Sequence, residues 1–108
     1  MFSLTIVEGN QQGQRAEVKQ FPFVIGNNLQ AQLRLTEAGV WEDHVAIDLP
    51  KRSAPIVKRL GEGLLSVNAD PTEEAKLRSG DLITIGGAVL RFELGSVQQK
   101  TMLFQNSA

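Results

Sequence analysis

Apolar and polar residues alternate in short runs along almost the whole chain, and a two-residue period predicts β-strands. The first run, FSLTIVE at 2–8, sets Phe2, Leu4 and Ile6 against Ser3, Thr5 and Val7. A glycine-bounded polar stretch, GNQQGQ at 9–14, separates it from the alternating RAEVK at 15–19, which predicts a hairpin. FPFVIG at 21–26 reads as a strand with Pro22 near its start, where a missing backbone donor is tolerated. QLRL at 32–35 is a short strand, and HVAIDL at 44–49 a longer one with Val45, Ile47 and Leu49 on one face. After the turn PKRSAP (50–55) come IVKRL (56–60) and LLSVN (64–68), separated by GEG. The tight turn LRSGD (77–81) leads into LITIG (82–86). Gly86 and Gly87 then supply the positive φ of a two-residue hairpin turn, and AVLRFEL (88–94) returns.

Strand signals at this spacing predict an all-β domain of about ten short strands, a sandwich or a barrel. Helix signals are scarce. PTEEAKL at 71–77 is the one credible helical turn, starting at Asp70 or Pro71, with a plain loop as its alternative. The sandwich is assigned to residues 1–95. The alternation stops at the tail SVQQKTMLFQNSA (96–108), whose apolar trio Met102–Phe104 either docks on the sandwich or leads onward.

Composition narrows the function classes. The 108 residues are enough for one domain with a modest core. Apolar residues make up 42% and charged residues 21%, ordinary for a globular domain. With 11 basic and 12 acidic side chains the net charge is −1, so there is no electrostatic footprint for nucleic acid. The absence of cysteine excludes disulfides and thiolate metal sites, and permits a reducing compartment. MFSLTIVEGN lacks the basic flank of a signal peptide, and its apolar run is too short to span a membrane. The chain therefore reads as cytoplasmic, with no direct membrane contact and no cofactor.

VWEDHVAI at 40–47 holds the only tryptophan and the only histidine, beside Glu42 and Asp43. Consecutive strand residues point to opposite faces, which argues against a metal site here. A lone histidine without cysteine is also short of soft ligands, and no nucleophile stands at a spacing that would make His44 a catalytic base. No enzymatic constellation is visible. His44 is instead read as pinning the preceding loop to backbone. Trp41 is either a lid on the end of the sandwich or an exposed anchor for a partner. The KR pairs at 51–52 and 58–59 read as a solvated, edge-protecting charged face, with a basic patch for an acidic partner as the alternative. GNNLQ at 26–30 lacks the lysine and glycine spacing of a phosphate loop.

The order of these pieces resembles the forkhead-associated (FHA) domain, a β-sandwich that binds phosphothreonine peptides. FVIGNN is similar to the family's strand ending in Gly-Arg, and QLRLTEAGVWEDHVAI to its Leu-x-Leu, loop, Ser-Arg-x-His-Ala stretch. LLSVNA resembles the end of its Asn-Gly-Thr-x-Val-Asn-Gly segment. AKLRSGDLITIGGAVLRFEL matches its Leu-x-x-Gly-Asp-x-Ile-x-Ile-Gly close, and the likeness runs over roughly residues 2 to 94. It implies an all-β sandwich of about ten to eleven short strands in two twisted sheets, and scaffold roles for Gly26, His44, Val67, Asn68, Gly80, Asp81 and Gly86.

The binding positions depart from that pattern. Asn27, followed by Asn28, stands where the family has arginine. Trp41 replaces the phosphate-binding serine, and Glu42 the arginine or asparagine after it. Glu62 replaces a threonine or serine, and Gly63 the peptide-orienting asparagine. A phosphothreonine carries about −1.5 to −2 charges and needs charge-assisted donors worth roughly 1.5–3 kcal/mol each. Asn27 and Trp41 offer neutral donors, and Glu42 and Glu62 add negative charge. The reading is therefore a degenerate FHA fold acting as a phosphate-independent protein-interaction or scaffold module, with phosphopeptide binding lost. Its candidate rim is Asn27, Asn28, Trp41, Glu42, Glu62, Gly63 and Asn68. Such domains occur in the family within larger assemblies, for example the inner rings of type III secretion systems. In that case the tail would lead toward a membrane span. The alternative is a signalling module that still reads a phosphorylated protein through its loop rim or through Lys58 and Arg59.

Overall fold

The computed structural model describes residues 2–95, which form eleven strands and no helix. They are β1 (Phe2–Glu8), β2 (Arg15–Val18), β3 (Phe23–Gly26), β4 (Leu33–Arg34), β5 (Val45–Asp48) and β6 (Ile56–Arg59). β7 (Leu65–Val67), β8 (Asp70–Pro71), β9 (Glu74–Lys76), β10 (Leu82–Ile85) and β11 (Ala88–Leu94) complete the set. One sheet has six strands in the order β2-β1-β11-β10-β7-β8, and the other five in the order β4-β3-β5-β6-β9. Only β3 and β4 pair in parallel. The expected two-sheet sandwich is present, and the tail at 96–108 lies outside the described residues.

Alternation explains which side of each strand faces the other sheet. Leu4, Ile6, Ile83, Ile85, Leu90 and Phe92 turn inward from the six-stranded sheet and are buried. Phe23, Ile25, Val45, Ile47 and Val57 meet them from the other sheet. Each such side chain contributes roughly 1.5–3 kcal/mol of transfer free energy. Phe2 stacks on Phe92 at 5.4 Å between ring centroids and meets Phe21 edge-on at 6.0 Å, closing one end of the core.

Several boundaries differ from the sequence expectation. The segment read as a helical turn at 71–77 is two short strands, β8 and β9, one at the edge of each sheet. Pairing decides against the helix-forming composition: Lys76, Ala75 and Glu74 line up with Ile56, Val57 and Lys58, while Asp70 and Pro71 line up with Val67 and Ser66. An edge strand accepts Pro71, which has no backbone donor to leave unpaired. Because β9 covers it, β6 is an interior strand, so Lys58 and Arg59 do not guard an open edge. Leu49 lies past the end of β5 and is 40% exposed, with its amide bonded to the Asp48 carboxylate. The third strand starts at Phe23, after a cis Phe21–Pro22 peptide.

Two hairpin turns set the opposite ends of the six-stranded sheet. β10 and β11 are joined by Gly86 and Gly87 alone, and of the two only Gly86, at φ 57°, supplies the positive φ expected of both. β7 and β8 are joined by Asn68 and Ala69, at φ 53° and 70°, a turn in which both central residues are left-handed. That geometry favours Asn-Gly, and here alanine stands in the second place.

Candidate binding rim

One end of the sandwich carries the loops between β3 and β4, β4 and β5, and β6 and β7, together with the Gly86–Gly87 turn. The first two loops are joined backbone to backbone. The Asn27 amide donates to the Trp41 carbonyl at 2.8 Å, and the Asn28 amide to the Glu42 carbonyl at 3.1 Å. Gly26 makes this approach possible, since a β-carbon there would collide with the Glu42 carbonyl oxygen. Gly39 and Gly86 pack backbone against backbone in the same way, with 3.3 Å between a β-carbon built on Gly39 and the Gly86 α-carbon.

His44 ties in the third loop from below. It is buried, and its Nδ1 accepts the Trp41 amide at 3.0 Å while Nε2 lies 2.7 Å from the Leu64 carbonyl. Accepting at Nδ1 leaves the ring proton on Nε2, which donates to Leu64. Gly63 lies against the ring, so that a β-carbon there would sit 2.5 Å from Cε1. One imidazole thus fixes two loops, and its Leu64 contact spans twenty residues of sequence.

Above this framework the side chains are exposed. Trp41 is 55% exposed, which favours the anchor reading over the packed lid. It stands between two clefts. One, of about 640 Å³, is lined by Asn27, Gly39, Val40, Trp41, Glu42 and Asp43. The other, of about 470 Å³, is lined by Gly39, Trp41, Glu62, Leu64, Ser66, Thr84 and Gly86. Neither contains a lysine or arginine. Among the described residues Glu42, Asp43 and Glu62 form no ion pair, and no group of three acids or histidines is placed to hold a metal.

The structure brings Asn27, Asn28, Trp41, Glu42, Glu62 and Gly63 to this end, but not Asn68. Asn68 lies at the opposite end of β7, where its side-chain amide donates to Asp81 and its carbonyl accepts the Leu82 amide, both at 3.0 Å. Asp81 also accepts the Arg78 amide at 2.8 Å, and the Gly80 amide donates to the Phe92 carbonyl. Asn68, Gly80 and Asp81 form a turn framework there, at the far end of the sheet from the rim. Arg34, which sequence reasoning missed, does reach the rim: parallel pairing sets it beside Gly26, and its Nε donates to the Asn27 carbonyl at 2.8 Å. Its outward position between the buried Leu33 and Leu35 was the available signal.

No protein-family model and no curated protein matches the sequence. Solved structures do, and they share the fold of forkhead-associated domains. An FHA domain of a hypothetical protein from Arabidopsis thaliana is 18% identical, with a TM-score of 0.82 over 93% of this chain and 90% of that one. The cytoplasmic domain of the T3SS sorting platform protein PscD from P. aeruginosa is 18% identical, with a TM-score of 0.74 over 94% of this chain and 84% of that one. EmbR from Mycobacterium tuberculosis, solved with a low affinity phosphopeptide, is 17% identical, with a TM-score of 0.78 over 92% of this chain and 26% of that one. At these identities the likeness establishes an FHA fold and leaves the chemistry of the rim to its own residues.

Proposed function

We propose that the domain is a protein–protein interaction module that meets its partner at this rim without reading phosphate, and that it serves as a scaffold or adaptor rather than an enzyme. The carrying observation is the pair Trp41–Glu42, held on the loop crest by the His44 and Gly26 contacts. In that place an exposed ring and a carboxylate present an apolar, acidic surface. A phosphate dianion needs charge-assisted donors, and both clefts beside Trp41 lack a cation while carrying Glu42, Asp43 or Glu62. The shared fold of PscD, a secretion-platform protein, supports a role as one part of a larger cytoplasmic assembly.

A second reading, recognition of a phosphorylated protein, has Arg34 in its favour. Its guanidinium lies beside Asn27 and Asn28 in a further cleft of about 370 Å³. Isothermal titration with phosphothreonine peptides and their unphosphorylated counterparts separates the two. The expected result is no phosphate-dependent heat. Micromolar binding that requires the phosphate, and that is lost in Arg34→Ala, would refute the proposal.

A further inference from the structure

The two clefts beside Trp41 are not equivalent. The one facing the Asn27 loop is the more polar, bounded by Asn27, Glu42 and Asp43. The one on the other side runs onto the outer face of the six-stranded sheet. There Trp41 and Leu64 are exposed by 55% and 78%, two large apolar side chains bordering one cleft. Its floor is the close-packed backbone of Gly39 and Gly86, with Ser66 and Thr84 side by side on paired strands. The floor has no side chain that can fill the space, because alternation sends Leu65 and Ile85 into the core and leaves only the short hydroxyl residues outside.

The charge around this cleft selects its occupant. Glu62 lines it, and Glu42 and Asp43 follow directly beyond Trp41 on the same loop, with no lysine or arginine along the wall. An anionic ligand finds no cation within this cleft, the nearest arginines, Arg59 and Arg34, lining the adjoining clefts beside Leu64 and Glu42. A cation next to an apolar side chain is attracted, and the face of the Trp41 ring adds a cation–π contact.

We infer that the Trp41–Leu64 cleft takes a segment of a partner protein that inserts an apolar side chain between these two residues and sets a lysine or arginine against Glu62, with Glu42 beyond Trp41 adding to the attraction. This deepens the reading of the domain as a phosphate-independent module and rests on it. Leu64 is the counterpart of Trp41 across the cleft, and it stands outside the Trp41–Glu42 loop crest.

The test is a selection of random, unphosphorylated peptides displayed on phage against the full chain, followed by backbone amide NMR with the enriched peptides. The enriched sequences should pair a leucine, methionine or phenylalanine with lysine or arginine, and shifts should concentrate at residues 39–42, 62–66 and 84–86. Leu64→Ser and Trp41→Ala, both at exposed positions that the fold does not need, should each weaken binding about tenfold or more. Charge reversal by Glu42→Lys with Glu62→Lys should abolish the preference for basic peptides. Raising salt from about 50 to about 500 mM should weaken the native complex severalfold. Acidic or uncharged winners, or shifts that map to another face, overturn the cleft assignment and leave the broader module standing. A selection without any enriched sequence also overturns it, while phosphate-dependent binding in the phosphothreonine titration overturns both.

Discussion

The contact between His44 and Gly63 permits a sharp test of how the rim is held. In His44→Ala the Trp41 amide and the Leu64 carbonyl each lose a partner, at about 1 kcal/mol net apiece and more where water cannot reach them. The vacated ring site adds a cavity cost, so the expected loss is about 3 kcal/mol. Gly63→Ala should be destabilising by itself, by about 2 kcal/mol, because its new methyl lies within 2.5–2.9 Å of three ring atoms and the imidazole must leave its hydrogen bonds to make room. Combined, the two changes should not add. Gly63 does not have a positive φ, so once the ring is gone alanine should fit and even stabilise by about 0.5–1 kcal/mol through the unfolded chain. The expected coupling is therefore about 2.5–3 kcal/mol, at the upper end for contacting residues. Urea unfolding of the four proteins, followed by far-ultraviolet circular dichroism and by Trp41 emission, measures it. Additive losses, or a Gly63→Ala effect that is the same with and without the histidine, would refute the account of His44 as the tie between the loops.

Other positions give simpler outcomes. Gly26→Ala should cost about 2–3 kcal/mol by forcing the β3–β4 loop away from Glu42, and an unchanged melting temperature would contradict the close approach. Ala69→Gly should stabilise by about 0.5–1 kcal/mol, since it relieves a left-handed alanine at φ 70° in the β7–β8 turn; calorimetry should show a higher melting temperature. Trp41→Ala should leave stability within about 1 kcal/mol of the parent, because the ring is more than half exposed. A larger loss in urea would return Trp41 to the role of a lid.

Much of the sandwich was legible because alternation and turn chemistry agree in the same places. FSLTIVE and AVLRFEL carry their apolar residues at every second position, and they pair along most of their length as β1 and β11. Gly86-Gly87 marks a turn that the structure closes with no further residue. The segment at 70–77 was illegible for the opposite reason. Its local composition favours a helical turn, and its strands exist only because β6 and β7 offer them partners to pair with. The site shows the same division. The family resemblance brought out Trp41, Glu42 and Glu62, which the fold gathers at one end. It also grouped Asn68 with them, although β7 carries that residue to the other end, and it overlooked Arg34, which arrives through a parallel pairing that spacing does not encode.

Because the rim loops are tied chiefly through backbone amides, backbone carbonyls and one buried ring, with Asn28 and Arg34 adding side-chain hydrogen bonds, the exposed side chains at 27, 41, 42, 62 and 64 contribute little to holding them in place. Stability and specificity are therefore written in different residues. Gly26, Gly63 and His44 are constrained by the frame, while positions 27, 41, 42, 62 and 64 carry exposed side chains that the frame does not use. A domain built this way can exchange one class of ligand for another through surface substitutions alone, without passing through an unfolded or weakened ancestor. The acidic, tryptophan-bearing crest would then be one setting of a reusable mount.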